Sequence, residues 1–100
     1  MAKSKPEIIA DIKTYINNLT SKYSDWYVGI ASDPQKRLFT DHTVNKDSDL
    51  WIYRECATSD IAREVEEYFV NTLKTDGGPG GGDYSTKYVY AYKKSTQTTE

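Results

Sequence analysis

Tyr27, Gly29 and Arg37 fall within one short stretch, Trp26-Tyr27-Val28-Gly29-Ile30-Ala31-Ser32-Asp33-Pro34-Gln35-Lys36-Arg37. A phenol, a bare glycine and a guanidinium set so close together suit the gripping of a phosphodiester. Arg37 has an equally ordinary use, an ion pair one helical turn long with Asp33 or Asp41. Farther along, Glu66 sits at the border of an apolar helical stripe, where a carboxylate is more unusual than on the solvated face that carries Glu64 and Glu67. His42, the only histidine, reads as a surface or cap residue rather than a base. Cys56 has no nearby histidine or basic cluster to lower its pKa and reads as a small buried hydrophobe. The run Gly77-Gly78-Pro79-Gly80-Gly81-Gly82 lacks the Lys-Ser/Thr of a phosphate loop and follows a helix instead of opening one, so it reads as a lid or linker.

The elements that must position these groups have clear punctuation. Ser4 and Glu7 form an S-x-x-E capping box with Pro6 in the first turn, and Ile8, Ile9, Ile12, Tyr15, Ile16 and Leu19 recur at helical spacing up to about Thr20. Tyr23 to Ala31 reads as a strand, with Trp26, Val28 and Ile30 on one face and Tyr27, Gly29 and Ala31 on the other. Asp33-Pro34 starts a short helix through Leu38 and Phe39, followed by a polar loop from Thr43 to Asp49. Leu50 to Ala57 is the second strand. Thr58-Ser59-Asp60 caps a helix whose stripe is Ile61, Val65, Phe69 and Leu73, widened by Ala62 and Tyr68. Lys87 to Tyr92 alternates Tyr88, Tyr90 and Tyr92 against Val89 and Ala91, the third strand.

One hundred residues with 37% hydrophobic content fit one domain over 1–94, with 95–100 a disordered tail. A chain this short buries roughly two-thirds of its unfolded surface. Nine tyrosines and two tryptophans therefore supply much of the apolar bulk. The net charge of −2 gives no global positive field, so any phosphate binding has to be local. One cysteine, no secretory signal and no long apolar run point to a cytoplasmic protein with no membrane association.

Residues 26–74 resemble a GIY-YIG endonuclease domain. Tyr27-Val28-Gly29 is similar to its Tyr-Ile/Val-Gly half, Asp33-x-x-Lys36-Arg37 to the helix that follows, and Glu66-x-x-Phe69-Val70-x-x-Leu73 to its acidic helix. The resemblance implies an α+β fold, a small three-stranded antiparallel sheet flanked by helices, and metal-assisted phosphodiester hydrolysis. Carried over by motif position, Tyr27 and Arg37 would be catalytic and Glu66 would hold Mg²⁺ or Mn²⁺. Gly29, which lets the backbone approach substrate, would be a substrate contact with Lys36 and His42. Several motif positions differ. No Gly-Ile-Tyr precedes the Tyr27 strand, and Gly81, Gly82 and Asp83 stand where the family has a late asparagine. Asp41 occupies the place one turn after the arginine where the family has histidine, and in an α-helix His42 would be turned by about 100° from it. Tyr88-Val89-Tyr90 resembles the missing Gly-Ile/Val-Tyr strand, so a C-terminal strand paired beside the Tyr27 strand would make Tyr90 the first motif tyrosine.

The resemblance implies a nucleic-acid-associated domain, on DNA or RNA, with an incomplete catalytic set. Two alternatives stand beside it: an active divalent-metal-dependent endonuclease that uses the same residues, and a protein-interaction module that binds a protein partner.

Overall fold

A computed structural model describes residues 4–19, 22–47, 49–77, 86–95 and 98. Ser4 and Glu7 cap the first helix reciprocally, as their spacing requires, and α1 runs over Lys5–Asn18 with Ile8, Ile12 and Ile16 fully buried along one stripe. The chain turns through a 3₁₀ segment at Tyr23–Asp25 and enters β1 at Trp26–Ala31, three residues later than the hydrophobic pattern alone predicts. The side chain of Asp33 accepts the backbone N–H of Lys36 at 3.1 Å and starts α2, Pro34–Lys36. This helix continues as a π-helical turn over Arg37–Asp41. β2 covers Trp51–Glu55, and the N–H of Cys56 extends the pairing by donating to Lys87 O at 2.7 Å. Thr58 caps α3, Ser59–Glu67, which also ends in a π-helical turn, Tyr68–Thr72. β3 spans Tyr88–Lys93.

The protein is therefore α+β, with a three-stranded antiparallel sheet in the order β1-β3-β2 and helices packed on it. The C-terminal strand is the central one, paired with β1 so that Tyr27 faces Tyr92 and Gly29 faces Tyr90, and with β2 so that Tyr53 faces Tyr90. Because side chains alternate across a strand, this register sends Val28, Ile30, Val89, Ala91 and Ile52 to one face. There they meet Ile8, Ile12 and Ile16 of α1 and Ala62, Val65 and Phe69 of α3. Each such aliphatic or aromatic side chain removed from water contributes about 1.5–3 kcal/mol, which makes this layer the main source of stability. The opposite face carries Tyr27, Ala31, Tyr90 and Tyr92, covered by Leu38 and Val44 from the α2 region.

The edge of β1 is partly closed by a segment that the alternation patterns do not reveal. Val28 N donates to Asp76 O at 2.9 Å and Asp76 N to Trp26 O at 2.9 Å, a parallel bridge made just after the third helix. Lys94 then ties the Asp76 carboxylate to the end of β3. The glycine run from Gly78 onward, the Gly81-Gly82-Asp83 position and most of the 95–100 tail lie outside the described residues. Among the described residues, no helix is long and apolar enough to cross a membrane.

Candidate active site

The antiparallel register of β1 and β3 builds the site around Tyr90. Gly29 lies directly opposite it, and the Tyr90 ring leans into the space that a side chain at Gly29 would need. A Cβ there would stand 2.5 Å from the Tyr90 hydroxyl and 2.7 Å from its Cζ. The group that approaches the bare glycine backbone is therefore this phenol, where the sequence pattern predicts a substrate. Tyr27, one pleat along, stacks on Tyr92 with ring centroids 5.2 Å apart and lies 6.3 Å from Tyr90.

The π-helical turn brings His42 to the same place. The N–H of His42 donates to Arg37 O at 2.8 Å, a bond that spans five residues where an α-helix spans four. The widened turn absorbs the extra residue between the arginine and the histidine. The rotation of about 100° expected from α-helical geometry therefore does not separate them. His42 is buried, 3% exposed, with Nε2 2.7 Å from the Tyr90 hydroxyl and Nδ1 3.2 Å from the Tyr92 hydroxyl. Its ring packs 4.8 Å from Tyr27. Its backbone caps the turn, as a cap reading of the sequence expects, but its ring is an interior group and not a surface one.

Arg37 stands at the solvent side of this cluster. One guanidinium nitrogen pairs with Asp41 at 3.2 Å, and the group also faces Tyr90 and Tyr27. Partial burial works against its charge, but the polar contact with Tyr90 and the nearby Asp41 outweigh this, and its pKa is raised. Glu66 lies on α3 and acts on the cluster through its charge. Its side chain is 8% exposed, and burial, reinforced by Glu67 and opposed by Arg63, pushes its pKa up to about 7. The Tyr90 phenol is pushed up to about 12, first by burial and then by Tyr27. Arg37 pulls it down and the Glu66 charge adds to the rise, so all three groups act electrostatically on one hydroxyl.

Tyr27, Arg37, Tyr90 and His42 are brought together in this way, with Gly29 beneath them, whereas Glu66 is linked to them only through the effect of its charge on Tyr90. Lys36 is exposed, and its ammonium makes no hydrogen bond or ion pair with the described residues. Tyr92 belongs to the cluster although its type and position in sequence mark it only as a strand residue. The signal that could have found it is its place in the alternating row with Tyr88 and Tyr90. Cys56 is 1% exposed, and burial, with Glu55 adding to it, raises its thiol to about 11, which fits a packing residue.

Among the described residues, no group of three or more His, Cys, Asp and Glu side chains could enclose a metal ion. Glu66 by itself supplies a carboxylate without a hydrogen-bond or ion-pair partner among the described residues, so a cation held there would need further oxygens from its substrate. Two open grooves lie apart from the cluster. One is between α1 and Tyr68, lined by Lys5, Ile9 and Lys13, and the other runs from Asp33 and Gln35 to Tyr53 and Tyr88. Comparison with family models, with curated proteins and with solved structures finds no match to this chain. A guanidinium, a carboxylate and a phenol hydrogen-bonded to an imidazole can respectively hold an anion, attract a cation and pass a proton.

Proposed function

We propose that the chain is a divalent-metal-dependent endonuclease that hydrolyses phosphodiester bonds in nucleic acid, with a GIY-YIG-type site whose first motif strand is supplied by β3. One observation carries this reading: Arg37 and His42, from a single π-helical turn, converge on the hydroxyl of Tyr90 on the distant strand β3, and the charge of Glu66 on α3 is felt there.

In this reading Arg37 binds a phosphate oxygen of the substrate and neutralises the charge that grows on it as the phosphorus is attacked. Tyr90 is protonated at neutral pH, given its raised pKa, so it serves as a relay and not as a phenolate. As a water oxygen attacks phosphorus, one water proton passes to the Tyr90 oxygen while the Tyr90 proton passes to His42 Nε2, 2.7 Å away. The new P–O bond forms, the bond to the leaving sugar oxygen breaks, and that oxygen takes a proton from solvent. Glu66 would hold Mg²⁺ or Mn²⁺, and a cation there supplies charge neutralisation at the scissile phosphate. Because burial pushes the Glu66 pKa up to about 7, cation and proton compete for it and cation binding strengthens as pH rises.

The test is cleavage of a supercoiled plasmid and a labelled DNA or RNA hairpin by the full chain with Mg²⁺ or Mn²⁺. Cleavage is expected, with loss of about a hundredfold or more in Arg37→Ala, His42→Ala and Glu66→Gln. No cleavage with either cation, or cleavage untouched in Glu66→Gln, overturns the proposal. Salt-sensitive binding without cleavage would leave a nucleic-acid-binding module, and binding to neither substrate would leave the protein-interaction reading.

A further inference from the structure

We infer that Tyr92 is a positioning residue: its hydroxyl accepts a hydrogen bond from His42 Nδ1–H and so fixes the imidazole in the tautomer that leaves Nε2 open to Tyr90. This use of the proton rests on the nuclease reading above, whereas the tautomer itself does not. The geometry is that of a ring held at both ends. Nε2 lies 2.7 Å from the Tyr90 hydroxyl and Nδ1 lies 3.2 Å from the Tyr92 hydroxyl.

A neutral imidazole has one nitrogen that donates and one that accepts. One of the two tyrosines must therefore donate to the ring while the other accepts from it. N–H donors to oxygen cluster at about 2.9–3.0 Å and reach about 3.2 Å, whereas hydroxyl donors make shorter bonds. The Tyr90 oxygen also faces Arg37, which can only donate and so leaves the Tyr90 O–H to point elsewhere. The short contact is thus assigned to Tyr90 O–H donating to Nε2, and the long one to Nδ1–H donating to Tyr92. The opposite assignment would put the proton on Nε2 and bar it from receiving another, which would break the relay at its last step.

The setting makes this choice durable. Tyr92 is fully buried, stacked 5.2 Å from Tyr27, and its Cα partners are Tyr27 on β1 and Trp51 on β2. A hydroxyl on the central strand, flanked by rings on both sides, has little freedom to move away from Nδ1. Tyr90 is likewise held, at 1% exposed, against the Gly29 backbone. The imidazole is then aligned by two phenols that are two residues apart on β3, so both lie on the same face of the sheet.

Because His42 is the only histidine in the chain, ¹⁵N imidazole NMR on the uniformly labelled protein reads its tautomer without assignment ambiguity. Above the pH at which His42 is neutral, the expected spectrum has a protonated, pyrrole-type Nδ1 and an unprotonated Nε2. In Tyr92→Phe, which removes one oxygen and keeps the ring, the population shifts to Nε2–H. Tyr90→Phe leaves Nδ1–H in place. An Nε2–H tautomer in the wild type, or an unchanged tautomer in Tyr92→Phe, overturns the inference. In the cleavage assay Tyr92→Phe should lower kcat by about tenfold or more with KM little changed. If the spectra behave as expected while the wild type cleaves nothing, it is the nuclease reading that fails and the tautomer assignment that survives. A kcat unchanged in Tyr92→Phe alongside a shifted tautomer would instead refute the positioning role.

Discussion

On the side of the sheet that faces α1 and α3, the strands present Val28, Ile30, Ile52, Val89 and Ala91, and on the other side the same strands present Tyr27, Gly29, Tyr90 and Tyr92. The first set is held by burial of apolar area, which has no direction and tolerates small shifts. The second set is held by ring contacts and by hydrogen bonds to a single buried imidazole, which do have direction. One residue crosses between the two. Glu66 comes from a helix whose other buried residues include Ala62 and Val65 of the aliphatic face, yet its charge is felt at Tyr90. The comparison teaches that apolar packing and the hydrogen-bonded ring cluster are assigned here to alternate positions of the same strands, and that among the described residues Glu66 links them through its charge.

The largest effect should come from breaking the aliphatic side. Phe69 is fully buried in that layer, and Phe69→Ala is expected to cost about 3–5 kcal/mol in urea unfolding. A loss under about 1 kcal/mol would mean that the tyrosine face supplies more of the stability than its contacts indicate. Next in size is Gly29→Ala. The added Cβ would overlap the Tyr90 ring, which is buried and tied to His42 and so cannot swing aside freely. A cost of about 1–3 kcal/mol is expected, and it should shrink when the same change is made in a Tyr90→Ala background. Equal costs in both backgrounds would locate the damage elsewhere.

Much of this division is legible from the sequence, because it depends on local periods. The alternation in Trp26–Ala31 and in Tyr88–Lys93 separates the two faces, the Ser4–Glu7 box marks the start of α1, and Glu66 stands out at a stripe border. What resists reading is set by contacts distant in sequence or by irregular backbone. The pairing of β3 with β1 joins residues some sixty positions apart, and only the likeness of Tyr88-Val89-Tyr90 to a missing motif hinted at it. The π-helical turn at Arg37–Asp41 leaves no periodic trace, so an α-helical count from Arg37 turns His42 away from a site in which it lies buried. The bridge between Tyr27 and Asp76 rests on backbone hydrogen bonds that no side-chain pattern announces. The fold class could be read from local rules, whereas the centre of the site required the tertiary structure.

The third effect tests the residue that crosses between faces. Glu66 has a folded pKa of about 7 against 4.5 in an unperturbed carboxyl. Between those values the folded chain keeps a proton that the unfolded chain has lost, so stability must fall as pH rises through that window. Glu66→Gln should flatten the slope and leave the variant about 1–2 kcal/mol more stable than wild type at pH 8, allowing for screening by water at a partly shielded group. Urea unfolding at half-unit steps from pH 4.5 to 8 measures it. Parallel slopes in the two proteins would show that Glu66 is solvated, and its link to Tyr90 would be lost.

The smallest effect on stability concerns the outer edge of the tyrosine face. Arg37 and Asp41 are paired at 3.2 Å across one turn, with side chains 45% and 36% exposed. A pair so exposed is worth only about 0.3–0.5 kcal/mol, so Asp41→Asn should barely move the unfolding midpoint. Its effect on binding should be much larger in proportion, because the guanidinium is then no longer shared with a carboxylate that repels phosphate. Affinity for a labelled oligonucleotide, followed by fluorescence anisotropy at low salt, is expected to rise by about three- to tenfold and to converge with wild type as salt is added. Weaker binding would instead make Asp41 the group that aims Arg37 at its ligand. Either way the measurement separates what this face does for the fold from what it does for a bound anion.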